Sequence, residues 1–384
     1  MKLSRREFIK EGIGAISLSQ ILGFNGCESS YINQEKYIGF YVDDLIRSVE
    51  INVYYPKLEE PMNVLIFSHG YSFNPSHYRK MIKKFAEEWY IVVAPNHNDL
   101  IKIIDFFPFI SIDLNRIDNI VSSIKDNLRE IGYILDTEEC LELFFREGFE
   151  GTVDDIRINE IYNRGFNYRS KETKLAFDLI KELNESRESN LYKKVKDGTG
   201  VFAHSFGGNI LLNNTIEKDN ENYFECNAGF FMSSVSGLSE VEKINYPTRW
   251  ITGTIDKNVF KESSYNSFKR VRERSSFLML KEVGHMTFCE EVCKFYNFIK
   301  VLIDLFSGVS IGNKKYEKKG IIEEIIWDLT NENNFIATRN HEEKQRVIVN
   351  SGISFFNKEI KGIGNEDNFI YGDEEYISMY EKNY

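Results

Sequence analysis

The sequence predicts an α/β fold, a mostly parallel central sheet flanked by helices, on three observations. Apolar runs of strand length alternate with segments of helical period. A strand, a helix and a second strand follow one another between residues 63 and 94, the order of a βαβ unit with a right-handed crossover. A serine also stands at a tight strand-to-helix junction near the middle of the chain. The composition agrees: 384 residues, 42% hydrophobic and 28% charged, are those of a globular protein with ample core. No window of 18 apolar residues occurs, so no mature membrane-spanning helix is expected. The 48 basic and 59 acidic side chains give a net charge of −11. With no basic face to neutralise phosphates, nucleic acid is not an expected partner.

The first 26 residues read as an address. Ser4-Arg5-Arg6-Glu7-Phe8-Ile9-Lys10 resembles the twin-arginine export signal, and a short, weakly apolar segment follows from Ile13 to Phe24. Gly23-Phe24-Asn25-Gly26-Cys27, ahead of polar Glu28-Ser29-Ser30, resembles the box at which bacterial lipoproteins are cleaved and lipidated, with Phe24 where Leu is usual. Cys27 is therefore the expected lipidated N-terminus, and the protein is expected outside the cytoplasm, held to a membrane by that anchor. Removal of residues 1–26 leaves 358 residues and a charge of −13. The acidic balance thus belongs to the exported part.

Next come the structural elements in order. Apolar positions 49, 51, 53 and 55 alternate with Glu50 and Asn52, the period of a half-buried strand. Asn63–Phe67 is a continuous apolar run, expected to be buried on both faces. Behind Asn74-Pro75, a sound helix start, Tyr78, Met81, Ile82, Phe85 and Trp89 recur at helical spacing. Tyr90–Ala94 is a second buried strand. Further on, Leu175, Ala176, Leu179, Ile180 and Leu183 mark a helix, 200–203 a strand, 207–216 a helix, and 228–232, 249–252 and 277–280 three more strands. Two stretches interrupt this rhythm. Residues 98–166 hold an amphipathic stripe, Ile117, Ile120, Ile124, Leu128 and Ile131, and are expected to form a helical cap over the pocket. Residues 306–345 are charged, with the Lys314–Lys319 cluster expected on a solvated surface. The reading is one domain over 27–384 with these two insertions.

The chemistry centres on Ala203-His204-Ser205-Phe206-Gly207-Gly208, between a buried strand and a helix. That context defines a nucleophile elbow: the serine occupies a strained turn, and the residues two positions either side must be small. Gly207 meets this need, and Ala203 replaces the commoner Gly. A serine hydroxyl needs a base to take its proton, and the base needs an acid to hold its tautomer. In this chain order the acid comes before the histidine. His285 follows strand 277–280 and is the expected base. His341, among polar neighbours, is expected to be solvated. Asp256 directly follows strand 249–252, at a strand's carboxyl end, and is the expected acid. Two backbone N–H groups should receive the oxyanion. Phe206 supplies one, and Tyr71, in the loop after strand 63–67, is the choice for the other. His69 in that loop is read as structural.

No cofactor or metal is expected. His285, Cys289 and Cys293 fall four apart, but no fourth ligand is evident. Cys140, Cys226, Cys289 and Cys293 contain no Cys-x-x-Cys pair, and Cys289 with Cys293, one helical turn apart, suits a disulfide poorly.

Phe67-Ser68-His69-Gly70, Asn96-His97-Asn98-Asp99, Arg169-Ser170-Lys171-Glu172, His204-Ser205-Phe206-Gly207-Gly208 and Gly284-His285 together resemble the α/β-hydrolases. They resemble most the platelet-activating-factor acetylhydrolases and related bacterial esterases. Ile353-Ser354-Phe355-Phe356 through Lys361-Gly362 is similar to that group's last helix. The resemblance implies Ser205 as nucleophile, His285 as base, and Tyr71 and Phe206 as oxyanion donors. One departure is plain. The acetylhydrolases carry their acid after the strand that follows the nucleophile helix, where this chain has Ser233-Ser234, so Asp256, one strand later, takes the place used by most other α/β-hydrolases.

The expected activity is an exported serine hydrolase that cleaves carboxylic esters, of a small-molecule or lipid substrate, through an acyl-enzyme. Alternatives from the same residues are a serine peptidase or amidase, a polyester or acyl-sugar esterase, and a catalytically silent lipoprotein binding module.

Overall fold

Residues 62–68 and 90–96 show why the sheet forms. Each is buried on both faces, so neither alternates, and each needs a layer of helices above and below. The structure, a computed structural model, describes residues 31–42, 46–57, 59–70, 73–97, 156–234, 241–256, 259, 261–289, 341–365, 367, 369 and 373–383. The strands are β1 (Ile32–Val42), β2 (Ile46–Pro56), β3 (Met62–Ser68), β4 (Tyr90–Asn96), β5 (Val195–His204), β6 (Ala228–Met232), β7 (Thr248–Gly253), β8 (Ser275–Leu280) and β9 (Ile377–Asn383). The helices are α1 (Arg79–Glu87), α2 (Ile156–Glu185), α3 (Phe206–Ile216), α4 (Lys261–Arg270) and α5 (His341–Glu359).

Among the described residues nine strands join one sheet in the order β1-β2-β4-β3-β5-β6-β7-β8-β9. From β4 through β8 every neighbouring pair is parallel, while β2 and β9 run against the rest. The carboxyl ends of β3 to β8 therefore share one edge of the sheet, where open α/β sheets bind ligands.

Two apolar layers flank the sheet. On one face Ile51, Val64, Ile66, Val201, Phe231 and Trp250 pack with side chains of α2, α3 and α4, among them Ala176, Ile180, Leu211 and Phe268. On the other, Leu65, Phe67, Val92, Phe202, Phe230 and Leu278 pack with Phe85 of α1 and Ile348, Phe355 and Phe356 of α5. Fully burying each such side chain contributes about 1.5–3 kcal/mol. Arg249, a buried cation on β7, donates to Ser276 Oγ and the Ser351 carbonyl and lies 4.7 Å from the Phe369 ring, tying the C-terminal segment to the sheet.

The expected strands and helices are present, most of them a residue or more longer than their apolar cores. The start behind Asn74-Pro75 is capped on both sides: Asn74 Oδ1 accepts from Ser76 N–H, and His77 Nδ1 accepts from Asn74 N–H. Two edge strands, β1 and β9, were not expected. β1 carries Asn33, Gln34, Glu35 and Lys36, and its pairing with β2 over all 11 residues, not its composition, makes it a strand.

The expected insertions overlap regular elements at their ends. Helix α2 begins at Ile156, inside the expected cap, and runs unbroken into the main layer, while residues 341–345 are the first turn of α5. The rest of both stretches, including the 117–131 stripe and the Lys314–Lys319 cluster, lies outside the described residues, as do residues 1–30 with Cys27. So do Tyr71, Cys140 and Cys293. Cys226 and Cys289 are buried and form no disulfide with a described residue. Among the described residues no helix is long and apolar enough to cross a membrane.

Candidate active site

Three strand ends bring Ser205, Asp256 and His285 together. β5 runs straight into α3, leaving one residue for the turn, so Ser205 takes φ 54° and ψ −128°. This left-handed region is costly for a residue with a Cβ and persists only where the surroundings hold it. They do so here from both sides: Ser205 N–H donates to the Met232 carbonyl, and Gly208 N–H to the Ser205 carbonyl. The approach also needs Gly207, because a Cβ there would overlap the Ser68 backbone carbonyl. Ala203 is fully buried in β5, so the methyl that replaces the commoner glycine is accommodated within the sheet.

His285 Nε2 lies 3.0 Å from Ser205 Oγ, and Nδ1 lies 3.0 Å from Asp256 Oδ2. The two spacings form a continuous chain from carboxylate to imidazole to hydroxyl. Asp256 Oδ1 also accepts from Val259 N–H at 3.0 Å, which fixes the carboxylate plane. The loops carrying acid and histidine are bonded to each other. Ile255 N–H donates to the Val283 carbonyl and Glu282 N–H to Thr254 Oγ1, an approach that leaves no room for a side chain at Gly253. Helix α5 grips the same loop, with Lys344 donating to the Glu282 carbonyl and Gln345 to the Thr287 carbonyl. Asp256 and His285 are 5% exposed, which strengthens their mutual attraction by keeping water away.

Phe206 opens α3, so its N–H belongs to the first turn, whose amides point out of the helix and favour a developing negative charge. The other expected donor, Tyr71, lies outside the described residues. What surrounds its neighbour Gly70 is clear. Arg169 Nη1 donates to the His69 carbonyl at 2.6 Å and Nη2 to the Gly70 carbonyl at 2.9 Å. His69 Nδ1 also bonds the Gly70 carbonyl, and its Nε2 accepts from His97 N–H. The expectation that His69 is structural agrees with this placement. Burial and the nearby Arg169 hold its pKa well below the usual histidine value.

A second arrangement was not anticipated. Ser68 Oγ lies 3.0 Å from His97 Nε2, His97 Nδ1 lies 2.9 Å from Glu172 Oε2, and Glu172 Oε1 accepts from Tyr41 at 2.9 Å. This repeats the connectivity of the Ser205 chain, but Ser68, His97 and Glu172 are all 0% exposed. A serine that no substrate reaches is a strut, and this one ties β3, β4 and α2 together beneath the loop at Gly70. The buried face of α2 shows how: Arg169, Ser170, Glu172 and Thr173 lie buried ahead of Ala176, Phe177, Leu179 and Ile180, so one helix face is polar near the sheet edge that carries Ser205 and apolar beyond it. Charged residues in a helix otherwise read as solvated, and only their spacing with buried neighbours would have signalled this face.

One expectation is overturned. The His341 ring is not freely solvated: the residue is partly exposed, but both ring nitrogens are buried with no hydrogen-bond partner among the described residues, and burial pulls its pKa down to about 4. Its polar sequence neighbours, Glu342 and Glu343, are exposed and gave no sign of this. Ser233, at the acetylhydrolase acid position, is buried, and its hydroxyl has no partner among the described residues. The carboxylate on His285 comes from Asp256 instead.

Strand order, an antiparallel β2, a serine elbow after β5, an acid after β7 and a histidine after β8 define the α/β-hydrolase fold. No known family model matches the chain, nor does any curated protein sequence. Among solved structures, a dienelactone hydrolase from Anabaena variabilis ATCC 29413 aligns at 13% identity with a TM-score of 0.39, over 71% of this chain and 97% of its own.

Proposed function

We propose that the protein is an exported serine hydrolase of carboxylic esters, acting through an acyl-enzyme at Ser205. The observation that carries this reading is the hydrogen-bonded chain Ser205–His285–Asp256 at 3.0 Å per link on a strained elbow. In this reading Ser205 Oγ attacks the ester carbonyl while His285 Nε2 takes its proton. Asp256 holds the Nδ1–H tautomer and balances the imidazolium. The tetrahedral oxyanion is received by the N–H of Phe206 and, as the sequence suggests, of Tyr71. His285 then gives its proton to the leaving alcohol, and a water activated at the same nitrogen releases the acid.

The finer parts of the proposal rest on sequence. Resemblance to the acetylhydrolases favours an acetyl or phospholipid-type ester, and the N-terminal motifs favour twin-arginine export and lipidation at Cys27. A fluorophosphonate probe should label the protein and fail on Ser205→Ala. An intact, unlabelled fold would overturn the enzyme reading and favour a binding module. Rates on p-nitrophenyl esters of increasing chain length would separate an acetylhydrolase from a lipase, and release of a chromogenic amide without the ester would favour a peptidase. Fatty-acid labelling of the exported chain, lost in Cys27→Ala, tests the anchor.

A further inference from the structure

His204, the residue before Ser205, is fully buried and takes no part in the chain of bonds from Asp256 to Ser205. Its Nε2 lies 3.1 Å from the His285 backbone carbonyl and its Nδ1 lies 2.7 Å from the Tyr78 hydroxyl. These contacts assign the protons. A carbonyl only accepts, so Nε2 carries the hydrogen, and the Nδ1 of a neutral ring is then an acceptor. Tyr78 donates to Nδ1, which leaves its oxygen to accept. It does so from Gly70 N–H at 3.3 Å and from the Cys289 thiol at 3.1 Å. The Cys289 sulfur also lies 3.6 Å from Nδ1, and an Nδ1–H tautomer would leave Nε2 facing the His285 carbonyl with no hydrogen between them.

We propose that Tyr78 and His204 are positioning residues for His285, acting through its backbone carbonyl and joining it to the loop after β3. The proposal rests on the hydrolase reading and extends it. His285 sits in a single turn of 3-10 helix, His285–Phe288, not in a strand or long helix, so its placement depends on such outside bonds. The path meets all three loops that must stay in register: Gly70 after β3, His204 at the elbow after β5, and His285 after β8. The His204 and His285 rings also lie 4.6 Å apart, so a shift of one is felt by the other. Burial and the adjacent His285 keep His204 neutral, and burial beside Cys289 raises the Tyr78 phenol, so the pattern holds at neutral pH. A displacement of about 1 Å at a reacting group can cost on the order of 10²-fold in rate.

The test is Tyr78→Phe, which removes one oxygen and keeps the ring. Its kcat should fall roughly 10- to 100-fold, with KM within about twofold of the unaltered protein. In a His285→Ala background the same change should cost little, because groups that act as a unit are not additive. His204→Gln, whose amide can donate in place of Nε2–H, should keep more of kcat than His204→Leu. Nitrogen-15 NMR of the six histidines should show His204 as the Nε2–H tautomer. Unchanged kcat in Tyr78→Phe, an equal loss in the His285→Ala background, or an Nδ1–H tautomer at His204 would each overturn the proposal. Should Tyr78→Phe not fold, the tautomer in the unaltered protein decides. Absence of Ser205-dependent turnover in the unaltered protein would instead sink the hydrolase reading alone.

Discussion

Arg169 donates to the Gly70 carbonyl over 2.9 Å, so a fully buried cation on α2 holds the last described peptide before position 71. The same guanidinium also donates to the His69 carbonyl, and His69 Nδ1 is a further donor to Gly70, so the loop after β3 is held from two sides. Arg169→Met leaves the His69 and Gly70 carbonyls without this donor in a dry site. It should lower kcat/KM at least about tenfold and stability by about 3 kcal/mol. Arg169→Lys, with a point charge in place of a planar fork, should recover only part of either. Steady-state kinetics and urea unfolding measure both, and a wild-type rate in Arg169→Met would refute the role.

Ser68 and Ser205 share the same serine–histidine–carboxylate connectivity, but only Ser205 is partly exposed. Fluorophosphonate should therefore modify Ser205 and leave Ser68 untouched. Peptide mapping should still find the label on Ser205 in Ser68→Ala, and a labelled Ser68 in Ser205→Ala would contradict the assignment.

The acid is separable from its neighbour by substitution. Asp256→Asn keeps the shape but reverses the donor pattern at His285 Nδ1, and should reduce kcat by roughly 10⁴. Ser233→Ala removes a hydroxyl that bonds no described residue and should change kcat by less than about twofold. A damaging Ser233→Ala beside a mild Asp256→Asn would move the acid to the wrong strand.

Gly207 is constrained by the backbone itself. A Cβ there would overlap the Ser68 carbonyl, which no rotamer change relieves. Gly207→Ala should destabilise the protein by more than about 3 kcal/mol. Thermal unfolding within a degree or two of the unaltered protein would show that β3 and α3 can separate.

Stability should fall with acid. His69 and His204 titrate well below the usual histidine value, and His341 at about 4, because burial disfavours the charged ring in each. In the unfolded chain they take up protons near pH 6.5. Between that pH and the folded values the unfolded state binds more protons, so stability present above about pH 6.5 is lost as pH falls. For His341 the window runs from about 6.5 down to about 4. Urea midpoints at pH 7.5, 6 and 5 should decline in that order, and His341→Leu should flatten the slope. Equal midpoints at pH 5 and 7.5 would refute this.

Ser205, Asp256 and His285 were legible because each depends on its immediate surroundings: a buried strand, a short turn, and a polar residue at the strand's end. The parallel strands were legible for the same reason, since burial on both faces leaves an unbroken apolar run. β1 and β9 were not, because an edge strand is half solvated and its polar residues hide it. Arg169-Ser170-Lys171-Glu172 was legible only as a resemblance, and its bonds to His69, Gly70 and His97 were not, nor was the burial of the His341 ring nitrogens, because charge or polarity in a helix predicts exposure until a buried partner is known.

The sequence by itself thus determined the order of Ser205, Asp256 and His285 along the chain and the turns that carry them, which are settled by neighbours a few residues apart. Only the tertiary structure decided what holds those turns in place. The bonds from Arg169 to His69, from Glu172 to His97 and from Tyr78 to His204 span 100, 75 and 126 positions. No local period encodes such pairs. They exist because the sheet's strand order brings distant loops to one edge, and because a polar group buried there is costly unless it finds a partner.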